Sequence, residues 1–234
     1  MIKAVVFDLD GTLVTFNLDI KACRIEIIQY LTEQGIPRDL FSMKETAFDM
    51  LVKTKKYLTT KADKKQKFIQ IKKIVSSIVE RFELKSAKTT EMFLGIPETL
   101  KALKAMSLKL AVCTISGEKA AQYSLNRFNL GHFFDKVITR ENVSNVKPHP
   151  AHLEAVLEAL NVLPQNTLMV GDSVKDVTCA RHLKVLAVGV TTGLSSIDEL
   201  TRSGAHYIVS SVNDVPNLIL QLKTVNKRNG LNQS

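Results

Sequence analysis

Short apolar runs alternate with amphipathic stretches along most of this chain. Lys3–Phe7 is a run dominated by Ala, Val and Phe that stops at Asp8. Similar runs lie at Leu108–Cys113, Thr167–Val170, Val185–Val190 and Tyr207–Val209. Each is short and rich in β-branched or aliphatic residues, as strands buried on both faces of a parallel sheet require. Helical patterns separate them. Pro97–Met106 begins with proline in a first-turn position, and Glu118–Leu130 ends at Gly131. Pro150–Leu160 is followed by Pro164, and Ser173–Leu183 sits between two strand runs. Strand and helix in alternation predict an α/β fold: a Rossmann-like parallel sheet core with helices on both faces.

The stretch from 17 to 92 breaks this pattern and holds no convincing strand. Asp19–Gln34 is helically periodic and stops at Gly35-Ile36-Pro37. Phe68, Ile71, Val75, Ile78 and Phe82 recur at spacings of three and four, which reads as the buried stripe of a helix. The expected organisation is therefore a catalytic core from 1–16 and 93–234, interrupted by an inserted all-helical cap domain at 17–92. The polar stretch Asn226–Ser234 is expected to fray.

At 234 residues the chain is long enough to bury a core without disulfide or metal staples. Its 45% hydrophobic and 24% charged residues exclude a largely disordered protein. No apolar run approaches the roughly 18–20 residues a bilayer span needs. The apolar N-terminus is short, runs straight into Asp8 and Asp10, and lacks a cleavage site. Cys23, Cys113 and Cys179 form no CxxC pair, so a reducing, cytoplasmic setting is expected. The net charge of +9 is concentrated: residues 53–92 hold twelve Lys/Arg and four Asp/Glu. This stretch is read as a solvated helix face; its few aromatics make no stacking platform, and no nucleic-acid or membrane partner is expected.

Three strand ends deliver polar residues. They are Phe7-Asp8-Leu9-Asp10-Gly11-Thr12, Cys113-Thr114-Ile115-Ser116 and Val170-Gly171-Asp172-Ser173, with Asp176 beyond the last. In open α/β sheets ligands bind at the carboxyl ends of strands, so Asp8, Asp10, Thr114 and Asp172 should meet in one crevice. Lys147, in the proline-stiffened Val146-Lys147-Pro148-His149-Pro150, is a candidate point charge for phosphate. Converging carboxylates repel unless a cation intervenes, and an all-oxygen site with a phosphate suits Mg²⁺. Asp8 can act as a nucleophile and Asp10 as a general acid/base. The reaction that uses every member is phosphoryl transfer through an aspartyl phosphate.

The run Phe7-Asp8-Leu9-Asp10-Gly11-Thr12-Leu13-Val14 resembles the first signature of the haloacid dehalogenase superfamily. The remaining signatures follow in order at Thr114, Lys147-Pro148 and Gly171-Asp172 with Asp176. Phe133-Phe134-Asp135 and Gly189-Val190-Thr191-Thr192-Gly193 are similar to family sequence as well. The resemblance is to the helical-cap subfamily, near phosphoglycolate phosphatase. It implies Asp8 as nucleophile and Mg²⁺ ligand, and Asp10 as general acid/base whose backbone carbonyl also binds Mg²⁺. It implies Thr114 and Lys147 as phosphate-binding, Asp172 as a Mg²⁺ ligand, and Asp176 as support for the metal's water shell. Dehalogenases of this superfamily lack the second aspartate, so Asp10 points to phosphate chemistry.

The implied function is a cytoplasmic, Mg²⁺-dependent phosphatase of a small phosphorylated metabolite, of phosphoglycolate or sugar-phosphate type, acting as a monomer or homodimer. One alternative is a phosphomutase of the β-phosphoglucomutase type. Another is a non-catalytic phosphate- or nucleic-acid-binding module. Thr15 and Phe16 stand where many helical-cap members carry an aspartate. Leu183-Lys184 replaces a common Ala-Gly after the last motif's helix, so an altered turn is expected there. Ser116 and Ser173 either donate to phosphate or cap helices. His149, His152 and His182 read as loop or helix-surface residues without a role, and Cys113 as core.

Overall fold

The structure, a computed structural model, describes residues 1–59 and 65–231. The described chain divides into two compact units: Met1–Phe16 with the chain from Thr90 onward, and Asn17–Thr89.

The first unit is built on six parallel strands: β1 (Ala4–Phe7), β2 (Lys109–Cys113), β3 (Lys136–Ile138), β4 (Thr167–Gly171), β5 (Leu186–Val190) and β6 (Tyr207–Val209). Their order is β3-β2-β1-β4-β5-β6. The chain steps outward from β1 to β3 and then crosses to β4 on the other side of β1. That reversal is the switch point at which doubly wound sheets bind ligands. In β1 Phe7 pairs with Val112 of β2 and with Val170 of β4. The register therefore ends the three central strands at one level.

Side chains alternate across each strand, so one sheet feeds two cores. Val5, Phe7, Leu110, Val112, Leu168 and Val170 face one way. They meet residues of Ile96–Ala105, Glu118–Arg127 and Val215–Leu231, three of the helices, including Leu100, Leu125 and Ile219. Ala4, Val6, Ala111, Cys113 and Met169 face the other way. They meet the helices Ala151–Leu160 and Val174–His182 through Leu153, Val156, Val177 and Ala180, and Ile197–Arg202 through Leu200. The α/β reading of the sequence thus holds, with helices on both faces.

Four details differ from the sequence reading. Strand β3 was not expected: it has three residues, sits at the sheet edge and is only half-buried, so its apolar run is too short to stand out. Lys184 takes a left-handed conformation, φ +58°, with no alteration of the turn. The N–H of Val185 reaches Ala180 O at 2.9 Å and that of Lys184 reaches Arg181 O at 3.1 Å. These are the two bonds of a Schellman end, and they hold lysine where glycine is commoner. The last helix continues through Leu231 rather than fraying from Asn226. Its first turns are anchored by the buried Val215 and Ile219, and propagation then adds a bond per residue. Residues 232–234 lie outside the described chain. Finally, His152 is fully buried, not on a helix surface.

The second unit contains Ile20–Glu33, Ala47–Thr59 and Lys65–Thr89. Asp19 caps the first of these, its carboxylate accepting the Ala22 N–H at 2.9 Å. Cys23, Ile27, Ile28 and Leu31 bury together with Met50, Leu58, Ile71, Val75 and Ile78. The spacing of three and four is the stripe that the sequence shows. Within the basic stretch, Lys64 lies outside the described residues, while the Lys67 ammonium donates to Gln34 O at 2.8 Å. No helix among the described residues is long and apolar enough to cross a membrane.

Candidate active site

The residue after β1, Asp8, continues the ladder: its N–H donates to Val170 O at 2.9 Å. The chain then turns through Gly11, whose φ of +86° is costly for any residue with a Cβ. Gly11 N–H closes the turn on Val14 O at 2.7 Å. At the end of β2, Thr114 is buried and its N–H donates to Ile138 O of β3 at 3.0 Å. Its hydroxyl accepts the Ser116 N–H at 3.1 Å. Beyond β4, Asp172 is clamped on both carboxylate oxygens. Thr12 donates to one at 3.1 Å and the Leu194 N–H donates to the other at 2.7 Å.

Lys147 ties these ends together. Its ammonium lies 2.9 Å from Asp8 Oδ1 and donates to Asp176 Oδ1 at 2.5 Å and to Cys113 O at 2.7 Å. Asp8, Lys147, Asp172 and Asp176 are each no more than 8% exposed. Two carboxylates around one ammonium, in a site shielded from water, make its charge far harder to remove. The Lys147 pKa is held well above the ordinary lysine value by Asp176 and Asp8, against the opposing effect of burial. Asp176 also uses its second oxygen locally, accepting the Ser173 hydroxyl at 2.6 Å and N–H at 3.1 Å. Ser173 is thus bound into the start of its helix.

The carboxylates do not share one environment. Ligand oxygens of Asp8, Asp172 and Asp176 lie within 4.8 Å of one another. Burial pushes the Asp8 carboxyl well up, and Asp176 and Asp172 add to it against the pull of Lys147. Asp172 is raised by burial and by Asp176. Asp10 stands apart on Ser116, whose hydroxyl donates to its Oδ2 at 2.6 Å. Burial raises Asp10 too, while Ser116 and Lys147 oppose the rise. Three buried carboxylates lie within 4.8 Å of one another and only two of them meet Lys147, which leaves negative charge uncompensated, and the donor set is all oxygen. Both features fit a hard divalent cation of the Mg²⁺ type held by Asp8 and Asp172.

Every residue singled out in the sequence is placed here: Asp8, Asp10, Thr114, Ser116, Lys147, Asp172 and Asp176. Ser116 meets Asp10 through its hydroxyl. Three contributors went unnoticed in the sequence. Thr12 and the Leu194 N–H orient Asp172, and Thr192 donates to Gly11 O at 2.7 Å. Thr12 lies inside the first motif and Thr192 beside Gly193, so the signal was present as motif but carried no geometry. Gly193 allows that close approach, because a Cβ there would overlap the Asp172 carboxylate. Gly193→Ala is expected to destabilise the protein by roughly 1–3 kcal/mol, the usual cost of overpacking. Urea unfolding of the variant checks this, and an unchanged midpoint would show that the loop yields freely.

The haloacid dehalogenase-like hydrolase family model matches residues 5–190. The chain belongs to that family. It is a hydrolase of the phosphatase kind. Among curated proteins it is 26% identical over 220 residues to pyrophosphatase PpaX of Halalkalibacterium halodurans, covering 93% of this chain and 97% of that protein. A hydrolase from Pseudomonas syringae is 24% identical with a TM-score of 0.70, covering 94% of this chain and 98% of that one. A predicted phosphoglycolate phosphatase from Haemophilus somnus 129pt is 24% identical with a TM-score of 0.65, covering 93% and 98%. The two structural likenesses show the shared fold.

Proposed function

We propose that this hydrolase is a cytoplasmic, Mg²⁺-dependent phosphatase of small phosphorylated metabolites, working through a phosphoryl group carried on Asp8. The observation that supports it is the division of labour between the two aspartates of the first motif. Asp8 faces Lys147 and the other carboxylates, while Asp10 is held off that cluster by Ser116. A pair of carboxyls in different surroundings is what separate nucleophile and acid/base roles require.

In this reading Asp8 and Asp172 hold Mg²⁺, together with the Asp10 carbonyl. When bound there, the ion would supply positive charge to offset that on the phosphoryl oxygens. Lys147 and Thr114 bind those same oxygens. Asp8 Oδ attacks phosphorus as the bond to the leaving oxygen breaks. Asp10 gives that oxygen its proton. It then takes a proton from water, which attacks the Asp8 phosphoryl group and frees the carboxylate. Asp176 keeps Lys147 in place. The helical unit is the cap and carries the residues that discriminate the leaving group. Three free cysteines suit a reducing compartment.

Phosphoglycolate, sugar phosphates and, given the name its curated relatives carry, inorganic pyrophosphate are the substrates to assay with Mg²⁺. Release of phosphate without sugar isomerisation is the expected outcome; isomerisation would favour a mutase. Asp10→Asn is expected to slow turnover on the order of 10²–10⁴-fold, the span of general acid–base help. Steady-state kinetics on the best substrate measure it, and an undiminished rate would remove Asp10 from the mechanism.

A further inference from the structure

His152 is fully buried, in the first turn of the helix Ala151–Leu160. Its Nδ1 accepts the backbone N–H of Lys147 at 3.3 Å. The segment between them is knitted locally: His149 N–H donates to Val146 O at 3.0 Å, and Ala151 N–H to His149 Nδ1 at 3.2 Å. A ring nitrogen that accepts carries no proton, so the proton of the neutral ring sits on Nε2. Nε2 is buried and has no hydrogen-bond partner among the described residues. The ring is therefore tied to the backbone that carries Lys147.

We propose that His152 is a positioning residue that holds the backbone of the phosphate-binding Lys147, accepting its N–H through Nδ1. The inference rests on the phosphatase reading above. Burial and the nearby Lys147 charge lower the ring's pKa to about 4, so it stays neutral and keeps Nδ1 free to accept. Protonation would place a donor against the Lys147 N–H and break the link. An aliphatic side chain of similar size would leave that buried N–H without an acceptor.

The test compares His152→Leu with His152→Asn, whose amide oxygen can stand in for Nδ1. Activity is read on p-nitrophenyl phosphate with Mg²⁺, phosphate affinity as the inhibition constant of orthovanadate, and stability as the thermal midpoint. His152→Leu is expected to weaken vanadate and lower kcat/KM each by about tenfold, as an orphaned buried donor would. His152→Asn should recover most of both at a similar thermal midpoint. Leu and Asn variants that behave alike at equal stability would overturn the proposal. Nitrogen NMR of the histidine rings in the unmodified protein decides the case in which the Leu variant does not fold. A neutral His152 protonated on Nε2 from pH ~5 to ~9 supports the link, and the Nδ1–H tautomer overturns it. If the unmodified protein hydrolyses no phosphate ester, the phosphatase reading falls, and the ring's tautomer still decides the linkage.

Discussion

Asp8→Asn is expected to release no phosphate from any substrate, while folding at least as well as the natural protein. An amide nitrogen or oxygen cannot take the phosphoryl group as a carboxylate does, so the covalent step has no acceptor. The same change removes one of three buried carboxylates crowded within 4.8 Å. Lys147 keeps two partners, Asp176 and the Cys113 carbonyl, so no buried cation is stranded. Loss of activity with Mg²⁺ and a gain in thermal midpoint in chelator should therefore go together. A beryllofluoride adduct should form on Asp8 in the natural protein and not in Asp8→Asn. Full turnover by the variant would end the covalent mechanism. A fall in stability would show instead that Asp8 is needed as a partner for Lys147.

The second large effect couples pH, stability and metal. Asp8, Asp10 and Asp172 all have carboxyls raised by burial in the folded protein. A raised folded pKa means that, between the ordinary carboxylate value and the folded one, the native state binds more protons than the unfolded chain. Stability is then highest below the ordinary value and declines as pH rises through that window. In chelator the thermal midpoint should fall as pH is raised from about 4 toward neutrality, opposite to the usual carboxylate trend. Mg²⁺ binds the ionised carboxylates of the native state and should cancel the decline, so its stabilising effect grows with pH. Calorimetry with EDTA and with Mg²⁺ across this range measures the difference. A metal-induced gain that shrinks as pH rises would show that the cation does not bind this cluster. Activity should vanish in EDTA and return with Mg²⁺. Ca²⁺ should restore little, because it favours a larger and looser shell.

Much of this was legible in the sequence because the informative signals are local. A strand that stops at Asp8, or a helical stripe such as Ile71, Val75 and Ile78, is written in consecutive residues. The signatures at Asp8, Thr114 and Asp172 come with strand ends attached, so their convergence followed from the alternation of elements. What escaped depends on neighbours distant in the chain. Strand β3 owes its existence to pairing with β2, since Lys136–Ile138 has no pattern of its own. His152 looks like a polar residue on a surface helix until the fold buries it over Lys147. Lys184 argues against a left-handed turn by its own preference, and the two bonds of the helix end outweigh that preference. In each case tertiary context overrides a weak local propensity.

The two chain crossings between the core and the helical unit lie side by side within the first unit. Val14 bridges Met92 in antiparallel fashion, Thr15 N–H donates to Glu91 O at 2.7 Å and Phe93 N–H to Leu13 O at 3.2 Å. The Thr15 and Thr90 hydroxyls meet at 3.0 Å, and the Arg127 guanidinium holds Thr90 O at 2.6 Å. Paired strands of this kind stand only about 5 Å apart. The core thus offers a narrow doorway, closed on itself by its own hydrogen bonds, that any inserted segment must use for both entry and exit. A segment whose two ends meet at that width can be spliced there without altering the strand order or the register that sets Phe7 beside Val170. Closing a longer loop costs little, about 0.6 kcal/mol per doubling of its length. The geometry of that doorway leaves the pairing of the core strands independent of what is inserted between its two sides.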